Sequence, residues 1–504
     1  MTNSAATAAE EYLRPIPSSG RTTSGWDMAS LWIGVVVNVP GYYLAGSLVD
    51  LGMSWWEGIL TILLANSLLL LPLLLASHPG PRYGLSFPVL LRSAFGTRGA
   101  LVPALLRAFV ACGWCAIESW IGGQAISLLL FRRSSTTTSW TLQFSCFLLF
   151  LLLQLAIIYR GMPAIRALQK YCAPVLVALL ALLFAWSYSK AGGLGEMLST
   201  PSRLTPLTFW PVFLPSLTAC IGSWSPLALS ISDFTRYCRT QRDQALGQLG
   251  LPLFAALFAF FSLAITSSTQ VVFGRVVPSP VDLLAEIGGP LATALGSLGI
   301  TLAVVTTNVP ANLVAPANVF VSLSPSRLSF PLGCAVTTAV GVAFQPWNLI
   351  GSSESFVYTW LVGYSAIVGP IIGILLTDYY VLRRTVLDVD DLYSASPLGA
   401  YYYWHGYNVV ALGVLLLCVV PAVPGFLVKV GVVAGAPEAF LAIYDNSWLF
   451  GMFSSGFLYW IVSAGLGRWR TRVDAAAKFD DPLLHVVDFL FHVMYLKKES
   501  KCGN

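Results

Sequence analysis

NVPGYY, running from Asn38 to Tyr43, interrupts an apolar stretch at residues 27–49. GSWSP, from Gly222 to Pro226, interrupts another at 208–232. A proline removes a backbone donor and disrupts a helix interior at about 3 kcal/mol. In a bilayer the carbonyl it frees needs another partner, so such a break belongs where it faces protein or a wet cavity. These two stretches are the first of two successive sets of five. Matched Gly/Pro interruptions in two halves point to a solute site at the membrane midplane of a secondary transporter. The plainer reading of either one alone is a simple kink.

Requiring roughly 20 apolar residues per span predicts twelve transmembrane helices. They fall at 27–49, 54–77, 100–131, 139–159, 168–190, 208–232, 248–274, 290–317, 329–345, 355–381, 405–429 and 442–467, the ninth short and the eighth long. The chain therefore divides into a tail at 1–26, a five-helix set at 27–190, a second at 208–381, two further helices at 405–467 and a tail at 468–504. With the N-terminus inside, 21 of the 28 Lys and Arg residues fall on the cytoplasmic side and six on the other, with Arg107 inside the third span. That asymmetry puts both termini in the cytoplasm, or in the stroma of a plastid, with Arg132 and Arg133 counting locally against it.

Composition agrees. Of 504 residues 56% are hydrophobic and 10% charged, against roughly 25% charged in a soluble domain, and the mean hydropathy is +0.73. The net charge of +5 records orientation more than partners, and nucleic-acid binding is not expected. Cys112 and Cys115 form a CxxC with no second pair nearby, so they read as small buried side chains. His78, His405, His485 and His492 lack metal-ligand spacing and read as solvated. Met1 to Gly25 has no signal-peptide pattern; its Ser, Thr and Ala suit a transit peptide, but Glu10 and Glu11 do not. Plasma membrane and plastid envelope both stay open.

Within GWCAIESWIGGQ, Glu118 places a carboxylate half way along the third span. A charge there costs at least roughly 2.5–3.5 kcal/mol and faces a cavity, a partner or a substrate. Trp114, four residues earlier, shares its helix face. Trp224 lies in the second break, and TLAVVTTNVPANLVAPAN carries Ala303, Thr306 and Thr307 at i, i+3 and i+4, with Asn308 and Asn312 four apart. Hydroxyls and carbonyls suit a small hard cation; as a bland alternative, they join helices. Indole faces stack flat rings, a carboxylate accepts ring N–H groups, and an Asn amide donates and accepts. The set Trp114, Glu118, Trp224 and Asn312 fits uracil, a purine base, a hydantoin or allantoin. Glu118 also has the chemistry to carry a coupling proton.

Several stretches carry a resemblance: VPGYYLAGSLVDLGMSWWEG from Val39, GPRYGLSFPVLLRSAFGTRGA from Gly80, LLRAFVACGWCAIESWIGG from Leu105, ISDFTRY from Ile231 and TTNVPANLVAPAN from Thr306. The chain resembles the nucleobase–cation symporter family of uracil, allantoin, cytosine and hydantoin permeases, over roughly residues 26 to 395. TDYYVLRRTVLDVDDLY and WHGYN are most similar to the branch of plant plastid nucleobase transporters and bacterial uracil and allantoin permeases. The resemblance implies an all-α, LeuT-type fold of five-plus-five inverted repeats with two added helices, helices 1 and 6 being broken. It places the substrate residues at Trp114, Glu118, Trp224, Asn312 and, in the first helix, Asn38. Glu118 stands where the hydantoin transporter has Gln. The implied cation set is Gly34, Val37, Ala303, Thr306 and Thr307, where Na⁺ is possible; H⁺ and Na⁺ both remain open, and no cofactor is implied.

The alternatives are an amino-acid or vitamin symporter of the same fold, or a membrane-embedded enzyme or sensor. Glu118 would repel a zwitterion's carboxylate, and no HExxH, GxSxG or Ser/His/Asp cluster supports an enzyme. Asp233 and Arg236 read as a gate or as the end of the sixth span. One chain suffices for the fold, so a monomer is expected.

Overall fold

The computed structural model describes residues 13–132, 138–159, 162–323, 328–394 and 396–466, with the side chains of 162–173 and of Ser322 left out. The tail at 468–504, with His485 and His492, and the first part of the N-terminal tail lie outside the described residues, as do Arg133 and Arg327. The described residues are helical, with ten helices long and apolar enough to cross a membrane, or eleven spans if one bent pair counts as one. Phe330–Ala343, the expected ninth span, has 14 residues, fewer than the roughly 20 a perpendicular crossing needs.

The bent pair is α1 (Gly25–Val36) and α2 (Val39–Asp50), which meet at 60°. One side chain closes both helix ends. Asn38 Oδ1 accepts from Gly41 N at 2.6 Å, capping α2. Its Nδ2 donates to the carbonyls of Val35 at 2.9 Å and Val36 at 3.0 Å, which end α1. Pro40 lies in the first turn of α2, where a missing N–H costs nothing. The amide of Asn38 is thus spent on the break itself.

The expected break at Gly222–Pro226 is not there: α6 (Pro206–Leu229) is one continuous helix. Numbering in chain order, α3 is Trp55–Ser77, α4 is Leu101–Phe131 and α5 is Trp140–Tyr159. Pro226 does free the carbonyl of Gly222, four residues back. That carbonyl accepts from Tyr364 Oη at 2.9 Å and from Ser225 Oγ at 3.0 Å. With the orphan satisfied by a neighbouring helix, nothing forces the chain to unwind.

Next come α7 (Gly250–Phe273) and α8 (Pro290–Asn308). After α8 the chain widens into a π turn at Val309–Val314, around Pro310, before Ala315–Leu323 resumes the α pitch. Such wide turns accommodate a missing donor and often mark function. Ser355–Leu361 is a second π turn, leading into α9 (Val362–Leu376), and Thr377–Leu382 is a third. The last span, α10 (Ser447–Gly465), packs along α9.

Polar groups tie the bundle together. Asn308 Nδ2 donates to Gln154 Oε1 at 2.8 Å, to Ser119 Oγ at 3.1 Å and to the carbonyl of Cys115 at 3.0 Å. Gln154 Nε2 donates to Ser119 Oγ at 2.7 Å. All three side chains are fully buried, so α4, α5 and α8 are joined by one hydrogen-bonded network, the expected use of polar groups between membrane helices. Asn308 accordingly turns away from Asn312, its neighbour one turn on.

His78 corrects the solvated reading. It is fully buried, with Nδ1 2.8 Å from Tyr379 Oη, because the C-terminal end of α3 tucks beneath the end of the tenth expected span. His405 is exposed. Asp233 accepts from Phe87 N at 2.8 Å and so caps Phe87–Phe95, tying the end of α6 to the 78–100 loop.

Candidate functional site

A cavity of about 520 Å³ runs between α1, α3, α4, α6 and α8. Trp114, Glu118, Trp224, Asn312 and Asn38 all stand on its wall, with Phe356. It extends along α4 from Glu118 to Arg107, three turns earlier and about 16 Å away along the axis.

Glu118 is 6% exposed and Asn312 8%. Asn312 Nδ2 donates to Glu118 Oε1 at 3.0 Å, and Thr307 Oγ donates to Oε2 at 2.6 Å. Each carboxylate oxygen therefore already has one partner, and each keeps lone pairs for another donor. The π turn at Val309–Val314 is what carries Asn312 to this carboxylate.

Both tryptophans are held by aromatic neighbours. Trp114 meets Phe356, Trp360 and Tyr364 edge to face, with centroids 6.1, 5.8 and 6.2 Å away. Gly113 permits this, because a Cβ there would collide with the Trp360 ring. Trp224 meets the buried Trp32 at 6.0 Å and 83°. Trp32 in turn donates from Nε1 to Gln248 Oε1 at 2.9 Å, and Gln248 Nε2 donates to Ser77 Oγ at 2.9 Å. Edge-to-face pairs are worth about 0.5–1.5 kcal/mol beyond burial, so the plates are placed before any ring arrives.

The residues expected to hold a cation divide between two adjacent cavities. Gly34, Thr306 and Thr307 line the first. Val37 and Ala303 line a second, almost wholly apolar one of about 330 Å³ beside residues 176–186; Asn38 lines both. Thr306 Oγ donates to the Leu302 and Ala303 carbonyls, each at 2.9 Å. Thr307 Oγ also lies 3.0 Å from the Ala303 carbonyl, which competes with the nearer Glu118 oxygen for its single proton. These oxygens are hard donors of the kind a small cation takes.

The bracing residues were not singled out in the sequence. Phe356, Trp360 and Tyr364 recur every four residues, a legible stripe. Trp32 carries no comparable signal, since its partner Gln248 is 216 residues away.

A family model for permeases of cytosine/purines, uracil, thiamine and allantoin matches residues 15–451. The purine-uracil permease NCS1 of Arabidopsis thaliana is 53% identical over 474 residues, 92% of this chain and 79% of that protein. The allantoin permease of Bacillus subtilis is 35% identical over 465 residues, 90% of this chain and 92% of that one. Among solved structures, inward-facing Mhp1 matches with a TM-score of 0.73 at 22% identity, over 91% of this chain and 97% of that one. Closed Mhp1, a nucleobase-cation-symport-1 family transporter with bromovinylhydantoin bound, matches at 0.71 and 23%, over 92% and 97%. At that identity the likeness speaks for the fold.

Proposed function

The chain belongs to the nucleobase–cation symporter family, the permeases for cytosine and purines, uracil, thiamine and allantoin, and from that membership we propose that it imports a nucleobase or allantoin-like ring together with H⁺ or Na⁺. It is an integral membrane transporter and not an enzyme. The observation that carries the ring reading is the Glu118 carboxylate, buried on the cavity wall with Trp114 and held by Thr307 and Asn312. Ring N–H groups donate to Glu118, the Asn312 carbonyl oxygen accepts a further N–H, and the ring stacks between Trp114 and Trp224. Asn38 contributes by holding the α1–α2 break open at the cavity rather than through a free amide. A zwitterion fits less well, since its carboxylate would face Glu118.

Under this reading residues 27–190 and 208–381 are two inverted five-helix repeats, and 405–467 are two added helices. The cation sits near Gly34, Val37, Ala303, Thr306 and Thr307, and alternating access rocks one helix group against the other. One chain is the working unit, in the plasma membrane or plastid envelope, with both termini cytoplasmic or stromal.

The test is uptake in a host lacking base transport, using uracil, adenine, guanine, cytosine, allantoin and hydantoin, each with a pH step and with Na⁺ removed. Saturable uptake of at least one ring is expected; uptake of none, with the protein present in the membrane, refutes the reading. Glu118→Gln keeps the shape and removes the charge. We expect it to retain ring binding, while uptake loses its pH dependence if Glu118 carries the proton. A shifted ring preference at unchanged pH dependence would instead make Glu118 a selectivity residue.

A further inference from the structure

Tyr364 touches the supports of both tryptophans. Its ring lies edge-on to Trp114, centroids 6.2 Å apart, on α4. Its hydroxyl donates at 2.9 Å to the Gly222 carbonyl on α6, two residues before Trp224. That carbonyl is available because Pro226 has no N–H to give it. Ser225 Oγ also donates to it, at 3.0 Å, but from within the same helix, so that bond cannot fix α6 relative to anything else. Close approach of α6 and α9 is built in: a Cβ at Gly222 would collide with Ser365 Oγ and the Leu361 carbonyl. Tyr364 itself is 4% exposed.

We propose that Tyr364 is a positioning residue that sets the gap between the Trp114 and Trp224 faces, and hence which rings the site accepts. Its ring fixes one plate and its hydroxyl fixes the helix of the other, through a carbonyl that a proline has left open. The inference rests on the ring reading above. Without the hydroxyl the Gly222 carbonyl keeps only Ser225 Oγ of its own helix, so this tie to α9 is lost and α6 is free to shift. The shift changes the stacking gap rather than the groups that line it.

The experiment is equilibrium binding of uracil, adenine and allantoin to the purified full-length protein in lipid nanodiscs, with a melting curve for each variant. Tyr364→Phe keeps the ring and removes the hydroxyl. We expect about a ten-fold weaker Kd for the best-bound ring, together with a changed ratio of uracil to adenine affinity. Pro226→Ala restores a backbone donor to the Gly222 carbonyl, which makes the hydroxyl dispensable. The double variant Pro226→Ala/Tyr364→Phe should therefore bind within about two-fold of Pro226→Ala alone. Should Tyr364→Phe alone fail to fold, this pair still decides the matter. A lowered melting temperature with unchanged Kd and unchanged ratio would reduce Tyr364 to a packing role and overturn the proposal. So would a double variant as impaired as, or more impaired than, Tyr364→Phe. If the wild-type protein binds none of the three rings, the ring reading itself falls and this inference falls with it. Normal wild-type binding with an unaffected Tyr364→Phe refutes this inference alone.

Discussion

Replacing Asp378 by alanine is expected to destabilise the protein by about 3–5 kcal/mol, the cost of leaving a buried charge without its partner. Arg383 Nε lies 2.7 Å from Asp378 Oδ2, with side chains 9% and 1% exposed. Arg383 also donates to the Ser93 carbonyl at 2.8 Å and lies 4.6 Å from the centre of the Tyr401 ring. Tyr459 Oη donates to Asp378 Oδ1 at 3.0 Å, and Asn408 Nδ2 donates to Tyr459 Oη at 3.0 Å. The pair thus ties the end of the Ser355–Leu382 span to α10 and to the Phe87–Phe95 loop helix. Asp378→Ala strands the guanidinium among groups that cannot neutralise it. The double variant Asp378→Leu/Arg383→Met removes both charges and should be markedly more stable than Asp378→Ala. Melting of detergent-purified protein measures both. A drop of under about 1 kcal/mol for Asp378→Ala would show that the pair contributes little.

Trp114→Ala is expected to weaken ring binding by about 1–3 kcal/mol, roughly five- to 150-fold in Kd. Saturable uptake at micromolar substrate should then disappear while the protein still reaches the membrane. Trp114 is the plate closest in sequence to Glu118, and three aromatic rings hold its orientation. Losing the indole also opens a cavity beside Trp360, so stability falls too. Trp114→Phe separates the two effects: it keeps an aromatic face and much of the packing, and should retain a large part of the affinity. An unchanged Kd in Trp114→Ala would remove it from the site, whatever the melting curve does. Asn312→Ala should likewise impair uptake, because it takes away one donor to Glu118 and an amide on the cavity wall.

The break at NVPGYY was legible because its chemistry is local. Asn38 caps Gly41 and closes the α1 carbonyls within three residues in either direction. Membrane insertion, the approximate spans and a buried carboxylate at Glu118 were equally readable, since they follow from apolar run length and the cost of a charge in lipid. Trp114 and Glu118 share a face by helical periodicity alone.

GSWSP likewise combines a glycine and a proline with an aromatic residue, yet α6 does not break there. The difference lies in Tyr364, 142 residues further along the chain, whose hydroxyl takes the carbonyl that Pro226 releases. In the same way Asn308 and Asn312, four residues apart and alike in type, serve different purposes. One is drawn to Gln154 and Ser119, the other is turned to Glu118 by the wide turn at Pro310. His78 was read as a solvated span-end residue and is buried against Tyr379. The sequence by itself determined which polar groups and which prolines lie at membrane depth. Only the tertiary structure decided which partner satisfies each of them, because in a bilayer a freed carbonyl or a buried amide must be answered by whatever donor or acceptor the fold brings alongside it.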